Sequence, residues 1–403
     1  MKVFGSSIQW MAALILSLCT VFTQAEDKAQ QWRVYIGGYN TPDNFGINYF
    51  DYDSNIASLT PKGLAIATDN PSYLISNRDG TRIYCVNETA SFEGSGTVST
   101  FEIITEDGTL NEISKYSTEG TYPCHLSLNK KEDRLITANY GSGSIIMFPV
   151  SKRDGDLGPR IAFFQFSGSG PDVNRQASSH AHCVAFNPQQ THLYCCDLGA
   201  DRVMTYSFSR KGIPLTAAME PYIEATAGAG PRHMVFHPRN PFLYVLNELN
   251  NTITLYEAEY DTFFWRLIKK KSNHKDGKLT QIDTWSLLPN DFIGANTAAA
   301  IKIHPNGKFL YASNRGHDSI AVFAINDKTG KLNPVDFFPT GGRFPRDFAI
   351  HPDGKSLVIA NEGSNNLTTF FIDPETGVLT PSGQDPVKSE RPSCVLFVPV
   401  KKK

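Results

Sequence analysis

Beyond residue 25 the chain has no apolar run long enough to span a bilayer, and no segment with a sustained 3.6-residue apolar period. Membrane spans and helical bundles are therefore excluded as its architecture. Charge is sparse and almost balanced, at 19% charged residues and a net −2. That leaves no broad basic field for nucleic acid or an acidic membrane, so an anionic ligand must be met by individually placed Arg or Lys. No Cys-x-x-Cys pair and no Cys/His group with zinc spacing occurs. No Gly-x-Ser-x-Gly elbow occurs either, so Ser178-Ser179-His180 does not read as a nucleophile with its base. Neither a metal nor another cofactor is implied.

The first 25 residues are predicted to be a cleavable export signal. Lys2 supplies a basic start, Met11 to Phe22 an apolar stretch, and Thr23-Gln24-Ala25 a small-residue cleavage site. The expected location is periplasmic or extracellular, with a short segment 26–31 leading into a domain over 32–399 and a basic tail over 400–403. Cys85, Cys124, Cys183, Cys195, Cys196 and Cys394 remain after cleavage. Their even number permits disulfides in 15 pairings, and buried thiols are the equal alternative. Cys183 and Cys195 face each other if their hairpin turns at Pro188-Gln189. Sequons at Asn250 and Asn366 fall in polar hairpin tips, whereas Asn87 belongs to a strand end.

What the chain does contain is a repeat. A polar stretch, a Gly or small turn residue and a Leu recur, ending at Leu59, Leu110, Leu157, Leu215, Leu279, Leu332 and Leu379, at spacings of 51, 47, 58, 64, 53 and 47 residues. Between them runs a second series: Tyr84-Cys-Val-Asn87, Ile136-Thr-Ala-Asn139, Tyr194-Cys-Cys-Asp197, Tyr244-Val-Leu-Asn247, Tyr311-Ala-Ser-Asn314 and Val358-Ile-Ala-Asn361, with Ile36-Gly-Gly-Tyr-Asn40 as a seventh. Periods of this length mark propeller blades, each of which must stack on its neighbours to bury its apolar face. The predicted fold is all-β: a seven-bladed β-propeller of four antiparallel strands per blade. The strand-like stretches Trp32–Asn40 and Ser393–Val398 close the ring and remove an exposed edge. His237, His304 and His351 recur at one inner-strand turn and read as structural. Residues 160–178, and 257–274 with 283–297, break the period; the first reads as a mobile surface loop.

Aligning the repeats on the inner-strand turn places Ser72, Cys124, His182, Arg232, Ala299, Arg346 and Ser393 at the strand entrances. The second strands return to the same face and are followed by Glu88, Tyr140, Leu198, Glu248, Arg315 and Glu362. His182, Arg232, Glu248 and Arg315 thus gather at one mouth. Two guanidinium groups there can hold an anion and a developing oxyanion, a carboxylate can act on water, and a His can donate to a leaving oxygen. The same set also suits an ion pair bracing the ring. Arg346 and Glu362 form a matching pair in the sixth repeat, and His180, His125 and His233 flank the entrances.

Tyr35-Ile-Gly-Gly-Tyr39, Ser179-His-Ala-His182, Asp197-Leu-Gly-Ala-Asp-Arg202, Gly230-Pro-Arg-His233, Asn247-Glu248, Ser313-Asn-Arg315 and Phe344-Pro-Arg-Asp-Phe348 resemble the seven-bladed lactonase family. That family includes the propeller type of 6-phosphogluconolactonase and is related to the carboxy-muconate lactonising enzyme. The likeness runs from Trp32 to Val398. It implies a metal-independent lactone site whose active His, two Arg and Glu fall on His182, Arg232, Arg315 and Glu248, with Glu248 or His182 expected to activate water. The substrate expected is a small lactone, bound without nucleic acid or a membrane span by a monomer. Arg346, Glu362, His180 and His233 are the expected substrate-binding neighbours. An export signal sits oddly with a cytosolic phosphorylated lactone, which points to a different sugar lactone. A non-catalytic binding propeller, like those of exported surface layers, and a cycloisomerase that closes lactones are the alternatives.

Overall fold

The computed structural model describes residues 30–259 and 277–401. The expected export signal and most of the 257–274 connection lie outside the described residues. Seven antiparallel sheets form a closed ring. In chain order the blades span residues 73–117, 123–165, 181–224, 231–286, 297–339 and 345–388. The seventh takes its inner strand, Pro392–Pro399, from the C-terminal end and its other three from residues 32–66. Trp32–Gly38 pairs with Pro392–Pro399 from Trp32 opposite Pro399 to Gly38 opposite Pro392, and this is the predicted clasp. Each blade has four strands, and the sixth adds a two-residue strand, Val387–Lys388, beside Asn366–Leu367. A single 3₁₀ turn, Glu362–Ser364, is the one helical element among the described residues.

The repeated phrases are explained by where they meet. The turn Leu residues are all buried. The second-strand Tyr residues reach across to the turn of the next blade. Tyr35 donates its hydroxyl to the Gly108 carbonyl at 2.7 Å, Tyr84 to Gly155 at 2.7 Å, Tyr194 to Gly277 at 2.7 Å, Tyr244 to Gly330 at 2.6 Å and Tyr311 to Gly377 at 3.1 Å. These five glycines all have φ between +64° and +88°, a region where a side chain is strained. The phrases are therefore two halves of one inter-blade latch. The recurring histidines add a second, since His237 Nε2 lies 3.0 Å from the Gly307 carbonyl and His304 Nε2 2.7 Å from that of Gly354. His351 packs instead among Trp32, Tyr52 and Phe397 at the closing seam. Apolar clusters fill the gaps between blades; Tyr244, Leu246 and Leu255 of the fourth, for example, meet Leu310, Ala312 and Phe323 of the fifth. Tyr244→Phe is expected to cost about 1–2 kcal/mol, because the buried Gly330 carbonyl loses its donor, and the urea midpoint should fall accordingly.

Two expectations need correction. Cys183 faces Cys196, not Cys195, which lies opposite Val184, because the bulge at His182 shifts the register by one residue. All six described cysteines are free and buried. The stretch 160–178 is not a bare surface loop either. Ala162–Gln165 is the outer strand of the second blade, and Gln176 is fully buried, donating to the Leu198 carbonyl at 2.9 Å and to Asp201 at 2.8 Å. Likewise 283–286 belongs to the outer strand Leu279–Ser286. Of the sequons, Asn250 is exposed, Asn366 half-buried and Asn87 buried, with Asn87 Nδ2 bonded to Thr68 Oγ1 at 2.8 Å.

Candidate active site

The inner strands share a local irregularity that builds the mouth. Pairing with the second strand skips a residue at Cys124, His182, Arg232, Arg346 and Ser393, and skips Ala299 with Ala300 in the fifth blade. A bulge re-aims the extra side chain out of the sheet alternation, so the entrance position of almost every blade is handed to the channel. The second strand ends on a buried Asn or Asp whose side chain ties the strand end to its neighbours: Asn247 bonds Thr252 and Thr254 of the next strand, and Asn139 bonds the Thr118 carbonyl ahead of the inner strand. The next residue is then pinned by its N–H. Glu88 donates to the Asn70 carbonyl at 3.0 Å, Tyr140 to Tyr122 at 2.9 Å, Glu248 to Gly230 at 2.8 Å and Glu362 to Phe344 at 3.0 Å. The repeated Asn is thus structural, and the variable residue after it faces the mouth.

Glu248 is the centre of the site and is 3% exposed. Arg232 Nε lies 2.7 Å and Arg315 Nη2 3.2 Å from its Oε2, while Arg175 Nη2 lies 2.6 Å from Oε1. Arg232 also donates through Nη1 to the Ala299 carbonyl. Arg315 donates to the carbonyls of Thr297 at 3.3 Å and Ala298 at 3.0 Å. These contacts clamp both guanidinium groups in place, and each fork has more N–H donors than they engage. Burial alone would push the Glu248 carboxyl up, but Arg315, Arg232 and Arg175 hold it well below the usual carboxylate range. Burial, against the pull of Glu248, draws Arg315 down to about 9, which leaves it charged at neutral pH.

The histidines form an aromatic wall beside this group. His182 and His233 meet edge to face at 5.2 Å, His233 and His125 at 5.4 Å, and Tyr73 stacks on His125 at 4.3 Å. Burial, reinforced by Arg232, keeps His182 and His233 neutral, and burial holds His125 down to about 3. Cys124 Sγ lies 3.8 Å from His182 Nδ1, but burial pushes its thiol well up, so it is no thiolate nucleophile. His180 stands one step away, stacked on Tyr140 at 4.5 Å with Nδ1 2.8 Å from the Tyr140 carbonyl. On the other side Arg346 Nη1 lies 3.5 Å from Glu362, which Arg391 also binds at 2.8 Å. A small pocket joins the two sides, lined in part by His182, Arg232, His233, Arg346 and Glu88. A larger depression around Lys131 and Arg153 lies at the opposite, turn-bearing face. Among the described residues no three His, Cys, Asp or Glu side chains converge as metal ligands.

The structure therefore brings His182, Arg232, Glu248 and Arg315 together as expected, and puts His233, Arg346 and Glu362 round the same opening. His180 touches Tyr140 rather than the pocket. Arg175 was missed. It lies in the off-period stretch, where register assigns nothing, and the buried Gln176 next to it anchors that stretch so that Arg175 reaches Glu248 from 73 positions away. Tyr39, to which the repeat register assigns no role, bonds both Glu88 and Arg346 through its hydroxyl.

The chain matches the family described as Lactonase, 7-bladed beta-propeller, over residues 33–397. It is 34% identical to the 6-phosphogluconolactonase of Bacillus subtilis (strain 168) over 315 residues, 78% of this chain and 84% of that protein. The crystal structure of a putative 6-phosphogluconolactonase from Bacteroides fragilis superposes with a TM-score of 0.81 at 32% identity, covering 92% of this chain and 98% of that one. The periplasmic gluconolactonase PpgL of Pseudomonas aeruginosa gives a TM-score of 0.82 at 30% identity, covering 92% of this chain and 100% of that one. A closed seven-bladed ring with a charged mouth, matched across nearly its whole length by these relatives, belongs to the seven-bladed β-propeller lactonases, and the chain is a hydrolase of that family.

Proposed function

We propose that the protein opens a sugar lactone to its aldonic acid by direct attack of water, without a metal, at the mouth around Glu248. The observation that carries this reading is the three-arginine clamp on one buried carboxylate beside neutral His182. Lactone hydrolysis passes through a tetrahedral oxyanion, and donors fixed in advance stabilise it with no reorganisation cost at the moment of reaction. Arg232 and Arg315, each held by Glu248 and by backbone carbonyls, are such donors. Glu248 is suited to hold them rather than to take a proton, since so acidic a carboxylate is a weak base. His182, uncharged and against Arg232, can hydrogen-bond the reacting oxygens.

Arg175 is the least buried member of the clamp, with 37% of its side chain exposed, and it is the one able to meet an anionic substituent on the substrate. A free aldonolactone is the reading we favour. The N-terminal Lys2, Met11 to Phe22 and Thr23-Gln24-Ala25 pattern supports export, and a relative bears the description periplasmic gluconolactonase. Proton release should be followed with gluconolactone, its 6-phosphate and a muconate as substrates. Enzyme-dependent opening of either lactone supports the reading; turnover of the muconate alone would replace it with ring closure, and no turnover at all would leave a binding propeller. If Arg175 meets a phosphate, Arg175→Ala should raise KM for the phosphorylated lactone about tenfold while leaving that for gluconolactone within about twofold.

A further inference from the structure

Glu88 holds in the first blade the register position that Glu248 holds in the fourth. Each follows the buried Asn of its second strand, and each N–H is pinned by the carbonyl ahead of the inner strand. Their surroundings are opposite. Glu248 is gripped by three arginines, whereas the arginines on the Glu88 side are engaged elsewhere, Arg346 and Arg391 both with Glu362. Glu88 Oε2 is held instead by a neutral donor, the Tyr39 hydroxyl, at 2.9 Å. That hydroxyl is itself fixed by Arg346 Nη2 at 2.6 Å. Glu88 lines the same pocket as His182, Arg232 and Arg346, so it opens onto the space a substrate held by the arginines would fill.

We propose that Glu88 is the catalytic residue that takes the proton from the attacking water and returns it to the departing ring oxygen. The inference rests on the lactonase reading above. A lone pair of the water oxygen forms the bond to the lactone carbonyl carbon, and the carbonyl π pair moves onto the carbonyl oxygen to give the oxyanion. The proton passes to the Glu88 carboxylate, leaving the O–H pair on the attacking oxygen. When the tetrahedral oxyanion collapses, the bond from carbon to ring oxygen breaks, its electrons stay on that oxygen, and the proton on Glu88 moves to it. Glu88 is then ionised again, and the new carboxylic acid loses the single proton that reaches solvent.

The electrostatics agree with this division of labour. Burial pushes the Glu88 carboxyl up from its ordinary value, against the opposing pull of Arg346, Ser72, Tyr39 and Arg232. Tyr73, Cys124 and Asp347 also line this side of the pocket, and burial keeps the Tyr73 hydroxyl and the Cys124 thiol protonated. Two carboxylates in one mouth with acidities driven apart are how a site separates a fixed charge from a proton carrier.

The test compares wild type with Glu88→Gln and Tyr39→Phe on the lactone the wild type opens best. Glu88→Gln should lose at least about 100-fold in kcat with KM within about threefold. Glu88→Asp should recover part of that loss. Tyr39→Phe removes a donor to the ionised form, so the acid limb of kcat/KM should move up by about half a pH unit. A brace that only supported the ring would leave that limb in place. An active wild type with full kcat in Glu88→Gln, or an unmoved acid limb in Tyr39→Phe, overturns the assignment to Glu88 alone. A wild type that opens no lactone overturns the lactonase reading and this proposal together. Should Glu88→Gln fail to fold, the Tyr39→Phe limb decides.

Discussion

Arg232→Ala is expected to lower kcat by about 100- to 1000-fold, the usual effect of removing one fixed donor to an oxyanion. The loss should fall on kcat and kcat/KM alike, because the interaction strengthens as charge develops on the carbonyl oxygen. Arg315→Ala should behave similarly, and the double variant should lose less than the product of the two, since both act through the same Glu248 clamp. Steady-state proton release against a pH indicator measures this. Unchanged kcat in both single variants would mean that the clamp braces the ring and does not contact the reacting atoms.

Glu248→Gln should be the most destabilising single change at the mouth. It leaves Arg232 and Arg315, 3% and 7% exposed, facing each other without their counter-charge. Breaking a buried pair from one side costs about 3–5 kcal/mol. The pH dependence has a definite sign. Glu248 is held well below the usual carboxylate range when folded, so its contribution is complete above the unfolded value near 4.3 and is lost as pH falls toward the depressed folded value. The gap in urea midpoint between wild type and variant should therefore be full at pH 7 and narrow below about pH 4.3. A gap that stayed constant through that window would show that the loss is one of packing and not of charge. Activity should fall as well, through misplaced arginines. Arg232→Lys should not recover what Arg232→Ala loses, because an ammonium cannot span Glu248 and the Ala299 carbonyl together.

Much of this protein is written in its repeat. The turn ending in Leu and the strand starting in Tyr recur because they meet across five of the seven blade boundaries. The count of seven, the clasp of the two ends and the structural role of His237 and His304 follow from that one requirement. The mouth was legible to the extent that it obeys the same register: His182, Arg232, Glu248, Arg315, Arg346 and Glu362 sit where equal positions in successive blades must converge. Cys183 and Cys195 show where strand pattern alone goes wrong, since one bulged residue moves every later pairing by a step.

By itself, then, the sequence determined the ring, its blade order and the set of residues that could face the opening, because periodic burial leaves a repeat with one way to stack. Which of those residues act on one another was decided only in the tertiary structure. Arg175 lies outside the register and reaches Glu248 only because Gln176 is buried against Leu198 and Asp201. Glu88 and Glu248 are equivalent by position and identical in type. What separates them is three guanidinium groups on one and a tyrosine hydroxyl on the other, contributed by chain segments as far off as Tyr39 and Arg346. A carboxylate's acidity is set by the charges and the dielectric around it, and those come from neighbours in space that no sequence spacing specifies.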